Sequence, residues 1–242
     1  MSIEKPITKE NLDTYLRELG KEFRKLNGTK TPAEIILVGG AAILANYGFR
    51  EMTYDIDAVV LASSAMKEAV NHVGDKLGLP NGWMNTDFIK TNSFSNKLSQ
   101  VSVYYKTFSN VLTVRTISAE HLIAMKLMSG RQYKNDLSDV VGIMLEHQRN
   151  GNPISKENIE IAISTLYGEK AGIPPVARKM IDDAFPKGDY ERVYNEIREG
   201  EKQAKDILLD VNKSNSEEFK SSNIDSILEQ ARQKRQENDI ER

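Results

Sequence analysis

Apolar residues recur along this chain with two periods, and the periods mark out its elements. Over residues 9–26, Leu12, Tyr15, Leu16, Leu19, Phe23 and Leu26 fall at three- and four-residue intervals, the stripe of an amphipathic helix. Asn27-Gly28 closes that helix, and Thr31-Pro32 leads out of it. Residues 34–38 then run Glu-Ile-Ile-Leu-Val, which predicts a strand covered on both faces and too apolar to lie at a sheet edge. Gly39-Gly40 permits a tight turn, residues 41–47 predict a helix of small side chains able to lie close to a sheet, and Gly48 ends it. Residues 52–61 predict a second strand, with Asp55 and Asp57 inside it.

Ser63-Ser64 caps a predicted helix over 65–77, which Gly78-Leu79-Pro80-Asn81-Gly82-Trp83 breaks. Residues 98–108 and 110–116 read as strands joined through 107–110. Ser118-Ala119-Glu120 opens a helix with Leu122, Ile123, Met125, Leu127 and Met128 apolar; Gly130 punctuates it and 136–147 resumes as another helix. Strand, helix, strand, helix, strand, strand, helices is an α/β (α+β) plan with a mixed sheet. After Asn150-Gly151-Asn152-Pro153 the strand pattern stops. Helices are expected over 155–167, 177–185 and 189–211, and the last sets Tyr190, Val193, Tyr194, Ile197, Ala204, Ile207, Leu208 and Val211 on a face that needs a partner surface. The chain therefore divides into a domain over 1–150, a helical C-terminal region over 151–212, and a polar tail over 213–242. The tail is read as flexible or as a helix (226–236) docked on a partner.

Composition narrows the class without changing this plan. The 242 residues are 39% hydrophobic and 28% charged, as in a soluble globular protein. A formal net charge of -2 gives no general attraction to nucleic acid or membrane, although it conceals any local asymmetry. The absence of cysteine excludes disulfides and thiolate metal sites, and the scattered His72, His121 and His147 argue against a zinc cluster. No apolar run has the length of a membrane span, and Met1-Ser2-Ile3-Glu4-Lys5-Pro6 lacks a signal-peptide core; the expectation is a cytoplasmic protein with no membrane partner.

The chemistry gathers between residues 35 and 60. Side chains alternate along a strand, so Asp55 and Asp57 at i and i+2 share a face. Two adjacent carboxylates repel, and a hard cation relieves them; magnesium, commonly shared with nucleotide phosphates, suits that donor set. The alternative is that both acids sit at the solvent end of the strand and are merely hydrated. The helix after Gly40 presents N–H groups at its N-terminus, a natural phosphate site. Singly, a Gly-Gly pair is a turn and an Asp-x-Asp pair a polar strand end; their order along the chain is what carries meaning.

That order, strand, Gly-Gly, helix, strand, Asp-x-Asp, resembles the polymerase-β-like nucleotidyltransferase superfamily. The longer signature comprises Gly39-Gly40-x-Ala42, Arg50, Thr53, Asp55-Ile56-Asp57, Leu79-Pro80 through Trp83-Met84-Asn85, and Leu122-x-x-x-Lys126-Leu127. It is similar to a bacterial and archaeal group of nucleotidyltransferases of unknown function, and the same plan appears in abortive-infection toxins of the AbiEii type. The resemblance covers roughly residues 35–145. It implies a nucleotidyltransferase fold, a mixed sheet flanked by helices. It also implies magnesium-dependent transfer of a nucleoside monophosphate from a triphosphate such as ATP to a hydroxyl acceptor, which in such families is a transfer RNA, a protein or a small molecule.

Carried over residue by residue, Asp55 and Asp57 hold the metal, Gly39 and Gly40 meet the triphosphate, and Arg50, Thr53 and Arg131 are candidate nucleotide contacts, with Lys134 beside Arg131. One departure is visible. The superfamily commonly supplies a third carboxylate from a later strand, and residues 98–116 contain no Asp or Glu. Abortive-infection relatives use a lysine and an aspartate from downstream helices, which matches Lys126 and Asp136 here, with Asp139 as an alternative. Each has a plainer reading: Arg50 offsetting the acids, Arg131 on an exposed turn, Asp136 and Asp139 stabilising a helix N-terminus. Trp83 reads as a loop anchor more than a base-stacking residue, and His121 as a helix-surface residue. The competing function is a catalytically inactive binding protein of the same fold, antitoxin-like, meeting a protein partner through its C-terminal helices; a toxin of a toxin–antitoxin pair is compatible with the enzyme reading.

Overall fold

The computed structural model describes residues 5–131 and 134–214, together with Ile224, Ile227 and Leu228. The chain runs β1 (Ile7–Thr8), α1 (Lys9–Asn27), β2 (Ala33–Leu37), α2 (Gly39–Asn46), β3 (Met52–Thr53), β4 (Ile56–Leu61) and α3 (Ala65–Leu77). It continues through β5 (Met84–Asn85), a 3-10 turn (Asp87–Lys90), β6 (Ser102–Phe108), β7 (Leu112–Ile117), α4 (Ala119–Ser129) and α5 (Asp136–Arg149). Three helices close it: α6 (Lys156–Tyr167), α7 (Pro175–Lys187) and α8 (Tyr190–Ser214).

The main sheet has five strands in the order β5-β4-β2-β7-β6. The apolar run of β2 dictates the centre: Ile35, Ile36 and Leu37 are fully buried, paired antiparallel to β4 and parallel to β7. β4 pairs parallel with β5, and β6 antiparallel with β7, so the sheet is mixed, as its element pattern predicts. Helices flank it. The stripe of α1 buries Leu12, Leu16, Leu19 and Phe23, each worth roughly 1.5–3 kcal/mol of transfer free energy. α4 packs against α5 and α6, and α8 lies along α5.

Three elements differ from the pattern reading. The expected strand over 52–61 is two strands in two sheets: β3 pairs with β1, Ile7 opposite Thr53, while β4 joins the main sheet. The chain changes sheets at Tyr54-Asp55, so Asp55 lies in a bend and only Asp57 lies in a strand. The strand expected from 98 starts at Ser102, because 98–101 are spent on turns such as Gln100 N–H to the Lys97 carbonyl at 3.0 Å. The two-residue β5 has no periodicity to find. It is fixed by Trp83, which is buried with its indole N–H on the Val70 carbonyl at 3.0 Å.

The first half of α8 joins the main core through Tyr190 and Val193, whereas Ala204, Ile207 and Leu208 form a smaller cluster with Leu228, Ile224 and Ile227. The rest of the tail beyond 214, including most of the helix expected over 226–236, lies outside the described residues. Among the described residues no helix is long and apolar enough to cross a membrane.

Candidate active site

The glycine pair owes its identity to what crowds it. Gly39 takes φ +56, a region closed to most side chains, and a Cβ there would stand 3.4 Å from Asp57 Oδ2. A Cβ on Gly40 would meet Thr53 Oγ1 at 2.7 Å and Arg50 Nη2 at 2.9 Å. Two of the expected nucleotide contacts thus lie against the back of the glycine loop. Helix α2 starts at Gly39 itself, two residues ahead of the expected start. Its first internal bond is Ala42 N–H to the Val38 carbonyl at 3.3 Å, leaving the N–H groups of Gly39, Gly40 and Ala41 at the helix mouth.

Asp57 stands beside that mouth, its carbonyl accepting the Val38 N–H at 3.0 Å. Asp55, exposed in the bend, accepts a 3.3 Å bond from Asn85 Nδ2, which puts β5 next to the acids. Burial, and then the neighbouring Asp55 charge, push the Asp57 carboxyl above its ordinary value; Lys126, Lys134 and Arg131 only partly offset them. Gly39, Asp55, Asp57, Lys126, Arg131 and Asp136 line one cavity of about 240 Å³. A neighbouring lobe extends past Arg50, Thr53 and Tyr54 to Lys205 and Leu208 of α8.

Lys126 is buried in the cleft wall and gripped twice, by Asp136 Oδ1 at 2.9 Å and by Asp139 Oδ2 at 2.8 Å. Burial alone would lower its pKa, but the two carboxylates outweigh it and hold the ammonium above the ordinary lysine range. Arg131 Nε reaches Asp136 Oδ2 at 2.8 Å, and Arg50 Nη1 reaches Asp139 Oδ2 at 2.5 Å. Burial would raise the Asp136 carboxyl, yet Lys126 and Arg131 hold it well below the usual carboxylate range. The result is an alternating chain, Arg50, Asp139, Lys126, Asp136, Arg131, with Arg50 further tied by its Nε to the Met52 carbonyl at 3.1 Å.

The sequence-predicted Gly39, Gly40, Arg50, Thr53, Asp55, Asp57, Lys126, Arg131 and Asp136 therefore come together, but in three groups. Asp55, Asp57 and the helix mouth face the open cleft; Arg50 and Thr53 back the glycines, while Lys126, Asp136 and Arg131 form the ionic wall. Asp55 and Asp57 are hard oxygen donors in mutual repulsion and fit a magnesium ion. Among the described residues no group of three or more acids or histidines is arranged to hold a metal, and Asp136 is occupied by cations.

Sequence reasoning missed Glu201 on α8. Only 6% exposed, it accepts the backbone N–H of Leu137 at 3.0 Å and of Ser138 at 3.2 Å through Oε1. Its Oε2 is buried with no partner among the described residues. Burial pushes this carboxyl up to about 7, against the lowering effect of the Ser138 and Leu137 bonds and with Asp139 adding to the rise. A signal was present: Glu201 falls in phase with Ile197, Ala204 and Leu208, a carboxylate within the apolar stripe.

The family model described as "Nucleotidyltransferase of unknown function (DUF6036)" matches residues 14–157. That span runs from within α1 to the start of α6, and includes the glycine loop, both acids and the ionic wall. No curated protein and no solved structure matches the chain.

Proposed function

The chain belongs to this family of nucleotidyltransferases, and from that premise we propose that it moves a nucleoside monophosphate from a magnesium–nucleoside triphosphate to a hydroxyl acceptor. The acceptor hydroxyl gives up its proton to solvent as its oxygen forms the new bond to the α-phosphorus, the bond from that phosphorus to the bridging oxygen breaks, and pyrophosphate leaves. The observation that carries this reading is the side-by-side placement of Asp55, Asp57 and the α2 N-terminus in one cleft. Paired acids next to N–H donors suit a cation and a polyphosphate together. Asp55 and Asp57 would hold magnesium, which when bound neutralises charge on the triphosphate and the leaving group.

The chain's own groups do the rest. N–H groups of the Gly39-Gly40 turn take phosphate oxygens, and Lys134 adds positive charge at the cleft mouth. Lys126, clamped by two carboxylates, offers a fixed charge that needs no reorganisation during reaction. The hydroxyl acceptor is a transfer RNA, a protein or a small molecule. Kinship with abortive-infection toxins and a toxin–antitoxin role are part of the same proposal, resting on the Lys126–Asp136 pair, and a cytoplasmic site of action is proposed with them.

The test is incubation with each labelled triphosphate, magnesium and cell extract, comparing wild type with the Asp55→Ala/Asp57→Ala double variant. Magnesium-dependent label transfer that disappears in the variant is the expected result; no transfer to any acceptor counts against the enzyme. One observation favours the second reading, an inactive nucleotide-binding protein with a protein partner at its C-terminal helices: Asp136 and Asp139, the candidate third acids, are both consumed by ion pairs. Nucleotide binding without transfer would select it.

A further inference from the structure

Helix α5 begins without a cap of its own. Asn135, in the N-cap position, makes no side-chain cap bond, although the first turn of α5 carries both carboxylates that grip Lys126. The cap comes from another helix 64 and 63 residues away in sequence: Glu201 Oε1 receives the Leu137 and Ser138 N–H groups. A buried carboxylate with one oxygen lacking a described partner is costly to retain for packing alone, since an apolar residue in that stripe would bury better.

Resting on the nucleotidyltransferase reading, we propose that Glu201 is a positioning residue of the active site, which fixes the first turn of α5 so that Asp136 and Asp139 hold Lys126 in the cleft wall. The coupling is direct in the chain: Leu137 and Ser138 lie between the two acids, and any fraying of that turn moves Asp136 and Asp139 relative to Lys126. It also makes α8 part of the site, because Lys205 and Leu208, one and two turns beyond Glu201, line the lobe that runs past Tyr54 to the acids. None of these α8 residues lies in the family-matched span.

The experiment uses the full chain and three variants, Glu201→Ala, Glu201→Asp and Glu201→Gln, each checked for folding by circular dichroism. Binding of magnesium with a non-hydrolysable ATP analogue is measured by calorimetry, and backbone exchange at 134–139 by hydrogen–deuterium exchange. Glu201→Ala should weaken analogue binding by about tenfold and speed exchange at Leu137 and Ser138, the usual scale for losing a charge-assisted cap. Glu201→Asp, one methylene too short, should show the same defects. Glu201→Gln, whose amide oxygen accepts the same two N–H groups, should restore both within about threefold.

Unchanged binding and exchange in folded Glu201→Ala or Glu201→Asp overturns the proposal, as does a Gln variant no better than Ala. Faster exchange with unchanged analogue binding overturns it as well, because the cap would then be structural only. Should wild type bind no analogue, the nucleotidyltransferase reading fails. The Lys126 link is then decided by a double-variant cycle with Lys126→Met on exchange at 134–139: non-additive effects support the positioning role, additive ones overturn it.

Discussion

Lys126 is shared by Asp136 and Asp139, so its removal leaves each of two buried acids with a single arginine, Arg131 for Asp136 and Arg50 for Asp139. Lys126→Met is expected to lower unfolding free energy in urea titration, by less than the about 3–5 kcal/mol of a buried charge left with no partner, because the two arginines remain. Asp57 should behave in the opposite sense. Its folded-state pKa is raised, so its ionised form opposes folding, and stability that is full below the free-group value is lost as pH rises from there through the folded value. Asp57→Asn should therefore melt higher than wild type at neutral pH without metal, and if Asp57 holds magnesium as proposed, added magnesium should raise the melting temperature of wild type and not of the variant.

Glu201 follows the same sign on a larger scale. With a folded value of about 7 against 4.5 for the free group, it should cost wild type up to about 3 kcal/mol as pH climbs between those values. The groups around it reinforce this: Asp139 on α5 repels the charged form, and only backbone N–H groups and Ser138 favour it. Glu201→Gln should flatten that limb of the stability–pH curve, measured by denaturant midpoints at successive pH values.

Among elements, α2 shows how tightly the glycine loop is specified. Gly40→Ala places a Cβ inside contact distance of Thr53 Oγ1 and Arg50 Nη2, and Arg50 cannot retreat without losing Asp139. A loss of about 1–3 kcal/mol is expected, with a lower melting temperature as the readout.

The features legible in the sequence at this scale come from physics that is local. The central strand announced itself because burial on two faces demands an unbroken apolar run, and α1 because a stripe of Leu and Phe has one period. The break at Tyr54-Asp55 was not legible: partners for 52–53 and for 56–61 lie in different sheets, and pairing of that kind leaves no mark in side-chain alternation. Neither was the short β5, which depends on Trp83 packing. Lys126 and Asp136 were found through family likeness, whereas their convergence with Asp139, Arg50 and Arg131 is tertiary.

Over the whole molecule, the site lies where the C-terminal end of β2, the first turn of α5 and the second half of α8 approach one another. The family match ends near the start of α6, so it covers the motif residues and leaves out the helix that clasps them. Relatives that share every motif can then differ in how rigidly the lysine is presented, according to the helices appended after the shared segment. Divergence in what the cleft admits would need no change at the glycines or the aspartates, only a different C-terminal appendage laid over the same face.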